Sequence, residues 1–110
     1  MARPIYFDCD TGIDDALALV HLMASPEITL AGIGTVSGNI DAATAAVNTL
    51  DLLAMGGLHD VPVAVGAMDP LTRAYSGGVP HIHGRNGVGN VELPHTDTRP
   101  VDESAADMLV

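Results

Sequence analysis

The apolar run Ile5-Tyr6-Phe7 breaks directly into Asp8-Cys9-Asp10-Thr11-Gly12-Ile13-Asp14-Asp15, and that in turn into Ala16-Leu17-Ala18-Leu19. Ile5 to Phe7 reads as a buried strand. Ile13, Ala16, Leu17 and Val20 recur at i, i+3, i+4 and i+7, which is helical spacing. Gly12 stands at the junction, where a sharp turn is easiest without a Cβ. Asp8 and Asp10 therefore end a strand, and Asp14 and Asp15 open a helix. Alternation along the strand sends Asp8 and Asp10 to the same side. In open α/β sheets ligands bind beyond the carboxyl ends of the strands. The helix dipole favours acids in a first turn, yet carboxylates this close repel unless a cation or protons intervene. A hard divalent cation with oxygen ligands, Ca²⁺ or Mg²⁺, meets that need, and the carboxylates alone do not choose between them. An EF-hand is excluded, because a loop begun at Asp8 puts Leu19 where a bidentate Glu belongs. Asp14 and Asp15, each taken singly, read equally well as plain helix-end charges. Cys9 reads as a small buried hydrophobe.

Composition narrows the class. The chain is 47% hydrophobic but 3% aromatic, so its core must come from aliphatic side chains. The formal charge is −10, with 14 acids set against four arginines and no lysine. That excludes a phosphate-binding footprint for nucleic acid and attraction to anionic membranes. A single cysteine allows no intrachain disulfide and fits a reducing compartment. There is no signal-peptide core and no stretch long enough to span a bilayer, so the expected location is cytoplasmic.

Along the chain, a first helix is expected from about Asp14 to Ala24, apolar nearly all round and buried against a sheet, with Ser25-Pro26 ending it. His21 within it reads as a packed or rim histidine. Ile28 to Val36 reads as a strand covered on both faces, giving a right-handed βαβ unit. Ser37-Gly38-Asn39 follows at the same sheet edge as Asp10; Asn39 alone reads as a turn residue or cap. A second helix is expected from Asp41 to Met55. Ala43, Ala46, Val47, Leu50 and Ala54 form its apolar stripe, and Thr44, Asn48 and Asp51 its wetter face. Val61 to Val65 is a short strand with Pro62 at its start. Residues 66–100 are broken by Gly and Pro throughout, and a loop of that length is commonly functional. Its His81-x-His83 pair lacks further ligands at transition-metal spacing. Val101 to Val110 opens a helix capped by Asp102 or Ser104.

The Asp-x-Asp-x-Gly-x-Asp-Asp pattern at Asp8–Asp15, with Gly38-Asn39 and His83-Gly84-x-x-Gly87, resembles the nucleoside hydrolases, the inosine/uridine-preferring nucleoside N-ribohydrolase family. The resemblance implies a Rossmann-like α/β fold: an open, mostly parallel sheet with helices on both faces. Residues 1–110 would form the N-terminal part of one such domain, about its first third, with strand–helix repeats over 1–65, an active-site loop over 66–100 and the start of a helix over 101–110. It also implies hydrolysis of the N-glycosidic bond of a ribonucleoside to ribose and free base, by a calcium-bound water activated by an Asp. Residue by residue, Asp10 matches a Ca²⁺ ligand and the general base, and Asp15 a second Ca²⁺ ligand. Asp14 matches the carboxylate that holds ribose hydroxyls, Asn39 a ribose-site or water-orienting group, and His83 a position near base and ribose. Asp8 is left as a supporting residue behind these. Arg85-Asn86 departs from relatives that carry an acid there, which leaves base preference open. The implied partners are a ribonucleoside and, at full length, further copies in a dimer or tetramer.

Two other readings follow from the residues. Asp8-x-Asp10 after an apolar strand also fits a haloacid-dehalogenase-type phosphatase, but Gly12 stands where Thr or Val is expected and the cation that phosphoryl transfer needs is missing with lysine. The chain also ends inside an apolar helix, which fits a non-catalytic fragment that keeps a partial cation site.

Overall fold

A computed structural model of the chain describes residues 2–110. Three parallel strands form an open sheet: β1 (Arg3–Cys9), β2 (Ile28–Thr35) and β3 (Val63–Val65), in that order. Helix α1 (Ile13–Met23) joins β1 to β2, and α2 (Ala42–Met55) joins β2 to β3. Two short helices follow, α3 (Pro80–His83) and α4 (Ala105–Leu109). The class is the α/β class that strand–helix alternation predicts. Pairing of β1 with β2 runs from Arg3↔Ile28 to Cys9↔Thr35, and slips between Ile5 and Tyr6, where Ala31 is the extra residue. This register brings Cys9 level with Thr35, so Asp10 and the Val36–Asn39 turn emerge side by side.

The sheet is covered on both faces by a simple division of side chains. Ile33, wholly buried, points with Leu30 into a core shared with Leu19 of α1 and Leu50 and Leu53 of α2. Each such side chain contributes about 1.5–3 kcal/mol on burial. On the opposite face β2 carries Gly32 and Gly34. A Cβ on Gly34 would strike the Tyr6 hydroxyl and Ala105 Cβ, so the bare backbone lets α4 lie close. Tyr6 donates its hydroxyl to the Ala105 carbonyl at 3.0 Å. Ser104, one of the two caps expected, accepts from the Asp107 N–H. No helix among the described residues is long and apolar enough to cross a membrane.

The faces of both long helices differ from their sequence patterns. α1 buries Leu19, with Ala16, Leu22 and Met23 packed beside it. Leu17 is 68% exposed and Val20 49%, so a helix apolar all round is covered on one side only. On α2 the polar positions Asn48 and Asp51 are buried rather than wet, while Ala43 and Val47 face outward. The reason is the 66–100 segment, which folds back over the polar side of α2 and supplies hydrogen-bond partners there. β3 is also shorter than Val61–Val65; Pro62 stands just before it and its carbonyl accepts from Ile33 N–H.

Candidate active site

Asp10 leaves the end of β1, and its carboxylate turns across to β2's outgoing turn, where Asn39 N–H donates to Oδ2 at 2.8 Å. A side chain on Gly38 would collide with that carboxylate, which explains the glycine. Asp15, in the first turn of α1, accepts from Asp10 N–H at 3.1 Å through Oδ2. Burial and the facing Asp10 carboxylate push the Asp15 carboxyl up to about 6, against the one lowering contact from Asp10 N–H. Burial and a like charge nearby both disfavour the ionised carboxylate.

Gly12 precedes helix α1 in the capping position and has no side chain with which to cap it. The missing acceptor arrives from seventy residues away: His83 Nδ1 accepts from Ile13 N–H at 2.9 Å. The ring is therefore neutral with its proton on Nε2, and its Nδ1 also stands 4.0 Å from Asp14 Oδ1. Asp14 is 77% exposed and free to meet a ligand. A Cβ on Gly12 would lie 2.6 Å from both Asn39 Nδ2 and His83 Nδ1. Gly12 has φ −90°, an ordinary extended value. The glycine thus serves crowding, not the sharp turn that its position suggests. Asp10, Asp14, Asp15, Asn39 and His83 all converge on this point.

Asp8 stands apart. It is exposed and lines a 240 Å³ cleft with Tyr6, Ala105 and Leu109 on the α4 side. Among the described residues no group of three or more His, Cys, Asp or Glu forms a metal site. Asp10 and Asp15 offer hard oxygen donors whose mutual repulsion a cation would relieve, so they fit Ca²⁺ as part of a ligand set, not as the whole of one.

The acid turn rests on a buried polar chain that sequence reasoning missed. Thr49 donates to the Ala45 carbonyl at 2.8 Å, so Thr11 must donate to Thr49, also at 2.8 Å. Thr11 then accepts from the Cys9 thiol at 3.3 Å. Burial pushes that thiol's pKa up, which keeps it a donor. Thr49 was visible only as a hydroxyl inside an apolar stretch. Tyr75, on a 380 Å³ cleft with Asn39, Asp41 and Arg85, carried no sequence signal at all. A wider cleft of 590 Å³ lies between α2 and residues 85–95; Asp51 and His95 line it, and none of the five converging residues does.

A parallel α/β sheet with paired carboxylates at its carboxyl edge, opposite an Asn and a His, is the arrangement of a ligand-binding α/β protein. The family model described as inosine-uridine preferring nucleoside hydrolase matches residues 5–110, and the chain belongs to that family. It is 38% identical to uridine nucleosidase 1 of Arabidopsis thaliana, over 96% of this chain and 31% of that protein. It is 39% identical to the inosine-uridine preferring nucleoside hydrolase of Leishmania major, over 100% of this chain and 35% of the relative. The solved structure of a plant nucleoside hydrolase superposes with a TM-score of 0.93 at 34% identity, over 99% of this chain and 35% of that one. The purine-preferring ribonucleoside hydrolase from Gardnerella vaginalis gives 0.92 at 34% identity, over 97% and 35%. The chain thus spans about a third of the length of the curated relatives it matches.

Proposed function

We propose that this chain contributes the cation- and ribose-binding part of an enzyme that hydrolyses the N-glycosidic bond of ribonucleosides. The observation that carries the reading is the Asp10–Asp15 pair, facing each other at the sheet's carboxyl edge with Asn39 and His83 closing on the same glycine. Calcium, when bound, would make water acidic enough to react near neutral pH and anchor sugar oxygens. Asp10 and Asp15 would hold it.

The chain's own groups account for activating the water and for holding the ribose. Asp10, whose Oδ2 is steadied by Asn39 N–H, takes the proton from the attacking water. Asp14, exposed beside it, accepts hydrogen bonds from the ribose hydroxyls. As the base departs with the bonding electron pair of the C1′–N bond, to be protonated to the free base, the ribose gains oxocarbenium character, and surrounding carboxylates stabilise that positive charge. Asn39 and His83 orient sugar and water from the opposite side. The same reading makes the protein a cytoplasmic enzyme of nucleoside salvage that acts as a homo-oligomer.

Free-base release from inosine and uridine, with Ca²⁺ calorimetry alongside, tests this. In the complete protein Asp10→Asn should abolish release and weaken Ca²⁺ binding. Unchanged affinity would remove Asp10 from the ligand set. Phosphate release from a sugar phosphate, without base release, would instead favour the phosphatase reading.

A further inference from the structure

His83 reaches the acid turn from an irregular segment, and α3 is too short to brace it: four residues, none buried. The bracing comes from the residues that follow. Asn86 Oδ1 accepts from Val88 N–H at 3.0 Å and Asn90 N–H at 2.9 Å. Its Nδ2 donates to the Val91 carbonyl at 2.7 Å. Its own carbonyl accepts from Asn48 Nδ2 on α2, at 2.7 Å. Asn90, in the left-handed region at φ 62°, returns its Oδ1 to Arg85 N–H at 2.8 Å. Gly89 N–H then closes onto the carbonyl of His83 itself, at 2.7 Å.

The Asn86 and Asn90 amides, with Gly89 N–H, tie the loop after His83 into a closed knot, and Asn86 makes most of its side-chain bonds. The knot also sits on the acid turn. Gly87 is buried at φ 84°, so close that a Cβ there would lie 3.3 Å from the Thr11 carbonyl and from Asn48 Nδ2. An alanine at position 86 would leave two N–H groups and a carbonyl without their side-chain partner, the buried Val88 N–H among them. An aspartate would keep both acceptor bonds and set a carboxylate oxygen against the Val91 carbonyl.

We propose that Asn86 is a positioning residue: by knotting the 84–91 loop it holds the His83 imidazole against Ile13 N–H, beside Asp14. Its bearing on turnover rests on the nucleoside-hydrolase reading, but its effect on His83 does not.

The test uses ¹⁵N-labelled protein, wild type beside Asn86→Ala and Asn86→Asp. Ile13 amide exchange and the His83 ring nitrogen shifts report the imidazole contact, and Ile33 exchange reports the core. The wild-type ring should show a single Nε2–H tautomer. Asn86→Ala should speed Ile13 exchange at least about tenfold and average the tautomers, while Ile33 exchange stays within about twofold. Asn86→Asp should fall between, and kcat/KM for base release should follow the same order. Unaltered Ile13 exchange and His83 shifts in Asn86→Ala would overturn the proposal. If that variant does not fold, Asn86→Asp decides: displaced His83 signals support it and wild-type signals overturn it. Displaced His83 signals in Asn86→Ala, with no base release by the full-length wild-type protein, would sink the hydrolase reading and leave the positioning role standing.

Discussion

The β1–α1 turn and the 66–100 segment supply the two sides of the candidate site, and they are held in shape by different means. The turn inherits its geometry from regular backbone: a strand end and a helix start fix Asp10, Asp14 and Asp15 within one short stretch. The segment has no such frame beyond one four-residue helix. Side-chain amides and a buried carboxylate tie it down, with Asn86 and Asn90 within it and Asn48 and Asp51 on α2. Regular structure places charges cheaply but only along its own direction. A histidine that must approach from across the site needs side chains that replace the missing backbone ladder.

The sharpest way to break this division is at the point where the two sides touch. Gly12→Val drives a side chain into Asn39 and His83 together, and base release should fall about 100-fold or more, as it does when reacting groups are misplaced by an ångström. Steady-state kinetics check this; a loss confined to the cation site would show that His83 is dispensable. Asp51→Ala should act on the segment alone. It removes the acceptor for Thr96 N–H and the partner of His95, at 3.0 and 2.9 Å, and should cost about 1–3 kcal/mol in urea unfolding while Ca²⁺ affinity stays within about twofold.

Acidity should separate the sides in the opposite sense. Asp15, raised to about 6, must lose its proton before a cation binds, so Ca²⁺ affinity should fall about tenfold between pH 7 and pH 5. Calorimetry in buffers of different ionisation enthalpy would show the released proton. Without the cation the sign reverses for stability. Because the folded value is raised, the Asp15 contribution is fully present below its ordinary value of 3.8 and is lost as pH rises through 6. The smallest effect is expected at Thr49→Val, which deprives Thr11 of its acceptor beneath the acid turn. About 1 kcal/mol of stability should go, with Ile13 exchange unchanged.

The same contrast decides how much was legible in the sequence. Strand, Asp-x-Asp, Gly and Asp-Asp before a helix could be read because each is local and periodic. Asn39 and His83 became readable only through resemblance, since neither spacing nor composition ties them to residues 8–15. Asn48 and Asp51 misled, because a polar position on a helix reads as wet until the chain that covers it is seen. Leu17 misled in the opposite direction: periodicity finds an apolar stripe but not which of two stripes meets the sheet. Asn86 stood out as a departure from relatives, yet its four hydrogen bonds had no trace in the pattern.

Asn48, Thr49 and Asp51 occupy barely one turn of α2, and between them they reach the acid turn, the asparagine knot and the His95 strand of chain. The relative placement of both sides is thereby set by helical pitch, 100° and 1.5 Å per residue. A single residue inserted in α2 ahead of Asn48 would swing all three attachments out of phase at once, whereas substitutions at any one of them detach only its own client.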